Sequence, residues 1–242
     1  MEVKSVRRYL LVFLMAIFSG TLSFGQAAIL VLIFGDKLAS ENLYLSIDGA
    51  MNVSTLPGLD EYKTSIGVNY GLGVHIRLND KWFLKPEFKP LSRKGARKTN
   101  PITPVSGDFI IEETKIKLNY MDFPVFIEYN ISPKMYVSAG PQISFVTDVK
   151  QYMKGTKEDN GMETSVKVNT TSFFNKTNFS FPVEAGYKLT LGNEKSTTKI
   201  HVNVFARYEY SFIEIFKDPA VGSSKVSLFQ FGLSLPFIKE AD

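Results

Sequence analysis

The stretch IGVNYGLGVHIRL, Ile66 to Leu78, decides how the rest of the chain is read. Apolar side chains stand at every second position (Ile66, Val68, Tyr70, Leu72, Val74, Ile76, Leu78). Gly67, Asn69, Gly71, Gly73, His75 and Arg77 fill the gaps. That is the period of a strand, with one apolar face and one small, polar face. Gly71 and Gly73 form a GxG inside this strand with no helix after it, so the context excludes a nucleotide site. They are expected to leave room opposite the bulky Lys85 to Lys89 stretch.

The same alternation marks seven more strands, with apolar faces carried by Leu43 to Met51, Trp82 to Phe88, Met121 to Tyr129, Val137 to Phe145, Phe179 to Leu191, Ile200 to Phe212 and Phe229 to Phe237. Ile116 and Leu118 fall on the opposite parity from Met121, so a bulge in the fourth strand near Tyr120 is expected. Pro86 and Pro90 each remove a ladder donor from the third strand and point to a local break or bulge there. Connections are short around Asn79-Asp80, at 131–134 and at 192–197. They are long at 53–62, 94–114, 150–175 and 213–225. Short turns on one rim and long loops on the other describe an all-β, eight-stranded, antiparallel, up-and-down transmembrane barrel, with both ends in the periplasm and four long loops outside.

A soluble barrel with an apolar lumen shares this period. Three features favour the membrane form. The strands reach 10 or more residues, enough for a tilted crossing. Aromatic residues gather near strand ends, as with Trp82, Tyr129, Tyr210, Phe212 and Phe237. The other face is Gly, Ser, Asn and paired charge, which suits a narrow, filled lumen better than a soluble surface. The inward charges balance: Arg77, Lys85, Lys89, Lys188 and Arg207 against Asp48, Glu87, Glu128, Glu184 and Glu209. An ion-selective pore lines itself with one sign. A balanced set predicts a closed, salt-bridged plug, because an unpaired buried charge is costly.

Composition agrees. Twenty Phe, 11 Tyr and 17 Gly suit a membrane-facing β protein. The absence of Cys removes disulfides, zinc thiolates, a thiol nucleophile and a lipidated Cys. Two His and scattered acids disfavour a metal enzyme, and no cofactor is implied. With 28 basic against 24 acidic residues there is no stripe for nucleic acid.

The N-terminus reads MEVKSVRR, YLLVFLMAIFSG, TLSFGQ: a basic start, an apolar run and small residues for cleavage. Residues 1–25 are therefore expected to be a signal peptide, with 26–42 a lead-in, 43–237 the barrel and 238–242 a short tail. A second apolar run, Ala27 to Gly35, keeps an uncleaved or later-cleaved segment open. Either form carries the rest of the chain out of the cytoplasm.

LKPEFKPLSRKGARK (Leu84 to Lys98), KIKLNYMDFPVFIEYNISPKMYVSAGP (Lys115 to Pro141) and the closing FQFGLSLPF (Phe229 to Phe237) resemble the PorT-like outer-membrane β-barrel family. The resemblance spans Leu43 to Phe237 and rests on structural motifs, not catalytic ones. It implies an eight-stranded barrel in the outer membrane of Gram-negative bacteria. Its namesake acts in protein secretion, and most members have no assigned activity. Two departures stand out: IKEAD follows Phe237, and Ala27 to Gly35 lies between leader and first strand.

Function follows less directly. Small outer-membrane hydrolases need a His near a Ser and an acid. His75 and His201 are the only candidates, and both face inward near the short-turn rim, with His201 expected across from Lys188. Neither suits lipid chemistry in the outer leaflet. The reading is a non-enzymatic structural or interaction barrel, accessory to secretion or transport across the outer membrane. A lipid-modifying hydrolase and a narrow transport pore are the alternatives. Arg93, Lys94, Arg97 and Lys98 gather where the third strand meets its outer loop and are candidates for contact with lipopolysaccharide phosphates. KGTKEDNG (Lys154 to Gly161) reads as a charged surface loop. Expected partners are outer-membrane lipids, lipopolysaccharide and envelope or secretion proteins.

Overall fold

The computed structural model describes residues 40, 42–58, 63–97, 99–102, 109–158, 161–191 and 200–238. The proposed leader, most of the lead-in and the last four residues lie outside this set. Eleven strands follow in order: β1 (Leu43–Thr55), β2 (Lys63–Arg77), β3 (Trp82–Arg97), β4 (Phe109–Asn130), β5 (Met135–Ala139), β6 (Gln142–Lys157), β7 (Glu163–Asn169), β8 (Thr177–Ser180), β9 (Val183–Leu191), β10 (Ile200–Tyr210) and β11 (Ser227–Phe237).

They form eight staves of one closed antiparallel ring. β5 and β6 are one stave interrupted at Gly140-Pro141. β7, β8 and β9 are another, interrupted by a short 3₁₀ turn at Thr171–Phe173 and again at Phe181-Pro182. The other six staves are single strands. Each stave pairs with its sequence neighbours, β4 with both β5 and β6, and β1 closes the ring on β11. Closure leaves no free edge in the membrane-crossing part, the condition for a sheet that crosses lipid, while β7 above it pairs with β6 alone among the described strands.

Alternation then divides the residues. The outward face carries Ile66, Val68, Val125, Ile127, Phe179, Val204, Phe229, Phe231 and Leu233, all exposed. An exposed apolar surface of this extent fits a hydrocarbon solvent. Trp82 packs on Tyr129 with ring centroids 4.7 Å apart at the short-turn rim, as an interfacial pair would.

Above this belt the polarity reverses. β3, β4, β6 and β7 continue past it as a wing whose inward face is apolar. Ala96, Ile116, Leu118, Tyr120 and Val149 pack there with Leu56, Phe174, Ile215, Phe216, Val226 and Leu228. Parts of the expected 94–114 and 150–175 loops are therefore strand. The segment after β10 folds over the mouth and is tied down by Asn175, whose Nδ2 donates to Glu214 O (2.8 Å) and Phe216 O (3.0 Å). This apolar lid closes the long-loop end.

The expected bulge is displaced. β4 alternates without interruption from Thr114 to Glu128, with even-numbered side chains inward throughout. Ile116 and Leu118 are inward because the wing buries them, so β4 needs no change of parity. The extra residues lie in the neighbours at the level of Tyr120. β3 spends three steps between Lys89 and Ser92 while β4 spends two, and β6 spends two between Val146 and Asp148 while β4 spends one. Pro90, which cannot donate to the ladder, sits in the first bulge. One extra residue exchanges the faces of everything beyond it.

Trp82 is the single Trp and is 41% exposed on the belt. Reconstituted in bilayers, its fluorescence should be quenched more strongly by lipids brominated near the headgroup than by lipids brominated at the acyl ends. Equal insensitivity to both would place this face in water.

Candidate functional site

The lumen holds the densest chemistry of the fold. Inward positions of β3 put Lys85, Glu87 and Lys89 in a column, and β9 and β10 place Glu184 and Arg207 opposite. Arg207 Nη1 and Nη2 donate to the two oxygens of Glu87 at 3.0 and 2.9 Å, a bidentate fork. Its Nε donates to Glu184 Oε2 at 2.8 Å, and its Nη2 also contacts that oxygen. Lys85 Nζ bridges Glu184 (2.8 Å) and Glu87 (3.0 Å), and Lys89 lies 3.1 Å from Glu87. The guanidinium packs over the Phe126 ring at 4.4 Å. β3 and β10 are far apart around the ring, so these contacts cross the lumen as struts.

Two further layers flank this one. Towards the long loops, Lys94 Nζ donates to Glu209 (2.7 Å) and lies 3.3 Å from Asp122. Towards the short turns, half-buried Lys188 donates to Glu128 (2.8 Å) and Asn130 (2.6 Å). Glycines make room for the large inward side chains. A Cβ on Gly186 would fall 2.2 Å from the Tyr136 ring, and one on Gly71 would fall 2.7 Å from Lys89 Cγ. Gly73 faces Ser46 and Asp48 instead, so only Gly71 makes the room expected opposite the Lys85 to Lys89 stretch.

Of the ten charges expected in the lumen, nine are there. Arg77 is the exception: it lies at the rim, where its Nη2 donates to Asp80 in the turn at 2.8 Å. Lys94 and Asp122 join the interior instead. Described interior charges are then five cations (Lys85, Lys89, Lys94, Lys188, Arg207) and six carboxylates (Asp48, Glu87, Asp122, Glu128, Glu184, Glu209). Lys94 was expected to face lipopolysaccharide, yet it is 1% exposed. The bulge at Pro90 explains this, since it turns Lys94 inward and Arg93 outward. Asp122 was legible as an even position on β4, next to the inward Phe126 and Glu128. Arg97 is exposed beside β2, with Nε donating to Thr64 O at 3.0 Å, and Lys98 lies outside the described residues.

The histidines divide similarly. His201 pairs with Thr190, and Asn203 is the residue across from Lys188, a two-residue difference from the expected register. His75 stacks on Tyr44 with ring centroids 4.4 Å apart. Its Nε2 lies 3.2 Å from Ser46 Oγ, and its Nδ1 lies 3.9 Å from Glu128. A Ser, a His and an acid do therefore meet, at the short-turn end. Ser46 is 0% and His75 1% exposed, so both are buried inside the barrel.

The sequence profile described as "Outer membrane protein beta-barrel domain" matches residues 40–217. The chain belongs to that family. No curated protein matches it. Among solved structures this outer-membrane barrel is similar to Ail, the attachment invasion locus protein of Yersinia pestis. That match has 15% identity, 81% of this chain and 99% of the other covered, and a TM-score of 0.43. It is also similar to OprG from Pseudomonas aeruginosa (12%, 82% and 97%, 0.43) and to the outer membrane protein AlkL in DMPC bilayers (13%, 81% and 92%, 0.39). At these identities the likeness is one of architecture.

Replacing Arg207 by Met would leave Glu87 and Glu184 with Lys85 as their one shared cation. The loss should be about 3–5 kcal/mol, because one member of a buried ion cluster is removed. Adding Glu184→Gln to Arg207→Met leaves Lys85 and Lys89 with Glu87 and Asp48, and should recover part of that stability. Urea unfolding of the folded gel species measures both; a double variant weaker than the single one would refute the electrostatic account.

Proposed function

We propose that this barrel is a non-catalytic, non-conducting scaffold of the bacterial outer membrane that acts through surfaces it presents to other molecules. The observation that carries this reading is the closed lumen: three layers of charged struts under an apolar lid. A conducting path needs a continuous wet channel with a field of one sign. Here Arg207 pairs with Glu87 and Glu184, Lys94 with Glu209 and Lys188 with Glu128 across the lumen, and opening it would strand these partners. The burial of Ser46 and His75 supports a role without catalysis, since a nucleophile and base must touch substrate.

Export by cleavage near Gly25, with the short turns in the periplasm and the long loops outside, completes the proposal. The resemblance to PorT-like proteins supports an accessory place in protein secretion, with envelope proteins as partners. The apolar lid, set on rigid strands and held by Asn175, supplies a fixed outer surface for such contacts.

Purified protein in planar bilayers should give no sustained unitary current; steady currents would overturn the closed-lumen reading. The chain lacks Cys, so single-thiol variants report orientation directly. Met162→Cys on the long-loop side should react with an impermeant maleimide in intact cells, and Lys134→Cys in a short turn should not. The reverse pattern would invert the barrel. Gentle purification from native outer membranes should bring down envelope proteins in fixed ratio. A lone barrel would remove the secretion role.

A further inference from the structure

The wing that reverses polarity above the belt has an outward face as well as an inward one. On β3, outward Leu91 is followed by Arg93 and Arg97. On β4, outward Met121 is followed by Asn119, Lys117 and Lys115. On β6, Phe145 gives way across the bulge to Asp148, Lys150, Tyr152 and Lys154. The strand register sets these side by side: Arg93 beside Asn119 and Asp148, then Arg97 beside Lys115, Tyr152 and Lys167 of β7. Lys117 Nζ lies 4.5 Å and Lys167 Nζ 5.7 Å from the centre of the Tyr152 ring, on which both rest. The belt ends in one row of residues and a cationic strip begins in the next, starting about 7 Å further along the strands at roughly 3.3 Å per residue.

The acids on this face do not neutralise it. Asp148 pairs with Lys150, and Glu113 stands opposite Lys154. Among the described residues, Arg93, Arg97, Lys115, Lys117 and Lys167 form no ion pair. Partial burial and the neighbouring Lys115, Arg93 and Lys167 hold the Lys117 ammonium below its ordinary range. Arg93, Lys115, Lys117 and Lys167 are thus held close together by β pairing, and none of them forms an ion pair with a described side chain.

We propose that the outward face of the β3–β4–β6–β7 wing, through Arg93, Lys115, Lys117 and Lys167, binds the phosphates of the phosphorylated glycolipid in the outer leaflet around the barrel. The position chooses a lipid over a soluble anion. The strip is continuous with the apolar belt along the same strands, so a lipid whose chains lie on Leu91, Met121 and Phe145 has its headgroup against it. Ammonium and guanidinium groups supply the charge-assisted hydrogen bonds that phosphate accepts. This inference rests on the orientation proposed above, with the long loops outside.

The test uses the full-length protein, purified in detergent and titrated with lipopolysaccharide. Lys115→Gln with Lys117→Gln should weaken binding roughly tenfold or more, since each basic side chain near an anionic surface contributes and every 1.4 kcal/mol is tenfold. Lys81→Gln with Lys134→Gln, two exposed lysines at the opposite rim, should leave it unchanged. Wild-type protein titrated with dephosphorylated lipopolysaccharide should show the same loss as the first variant, an arm that does not depend on any variant folding. Equal weakening by both pairs, or full binding of the dephosphorylated lipid, overturns the site. Displacement by inorganic phosphate at matched phosphate concentration would make it a free-anion site and overturn the lipid assignment. Thiol labelling with Met162→Cys separates the two failures: correct labelling without phosphate dependence sinks this inference alone, and inverted labelling sinks the orientation beneath it.

Discussion

A guanidinium in the middle of a membrane protein must be met by carboxylates, and Arg207 is met by two. Glu87 reaches it from β3 and Glu184 from β9, so one side chain ties three staves across the lumen. Burying ions is costly, and mutual pairing with satisfied hydrogen bonds offsets that cost. The rest of the interior is arranged around this requirement. Lys85 and Lys89 complete the two carboxylates, Phe126 packs on the guanidinium, and Gly186 and Gly71 keep large neighbours from colliding. A narrow eight-stave barrel has no room for water to substitute for these partners on a large scale. The same packing that braces the wall therefore fills the lumen between these staves.

The second constraint is the change of solvent along the strand axis. Within the belt the outside is hydrocarbon and the inside is polar. On the wing the outside is polar and the inside is a packed apolar cluster from Leu56 to Leu228. β4 shows that a strand need not change its alternation to cross this boundary. It keeps even residues inward and changes only their kind, from Glu128 and Asp122 to Leu118 and Ile116. Its neighbours add one residue each at the same level. The bulges change twist and direction where the ring opens into the wing. The cationic strip lies at this boundary, which is also where lipid headgroups lie.

The barrel, its eight staves, its apolar belt and most of its lumen charges were legible from period-two alternation, because a strand's two faces meet two different solvents. Nine of the ten inward charges follow from parity alone. Lys94 and Arg93 did not, because a single inserted residue at Pro90 exchanges faces and the sequence marks where a bulge is favoured without stating its effect downstream. Asp122 shares the inward parity of Phe126 and Glu128 on β4 and follows from it as well. The partnership of Lys117 and Lys167 with Tyr152 had no signal, since β4, β6 and β7 are brought together only by pairing.

What the sequence determined by itself is which side chains share a face within an uninterrupted run of extended backbone, and hence that the chain closes into a membrane barrel with a polar interior. What only the tertiary structure decided is which of those side chains meet. Arg207 with Glu87 is a contact 120 positions apart in the chain, set by ring closure and stagger. The inward turn of Lys94 and the gathering of cations on the wing depend on bulges and register. Alternation is local and readable; register is a property of pairs of strands, and its energy is settled only when the ring closes.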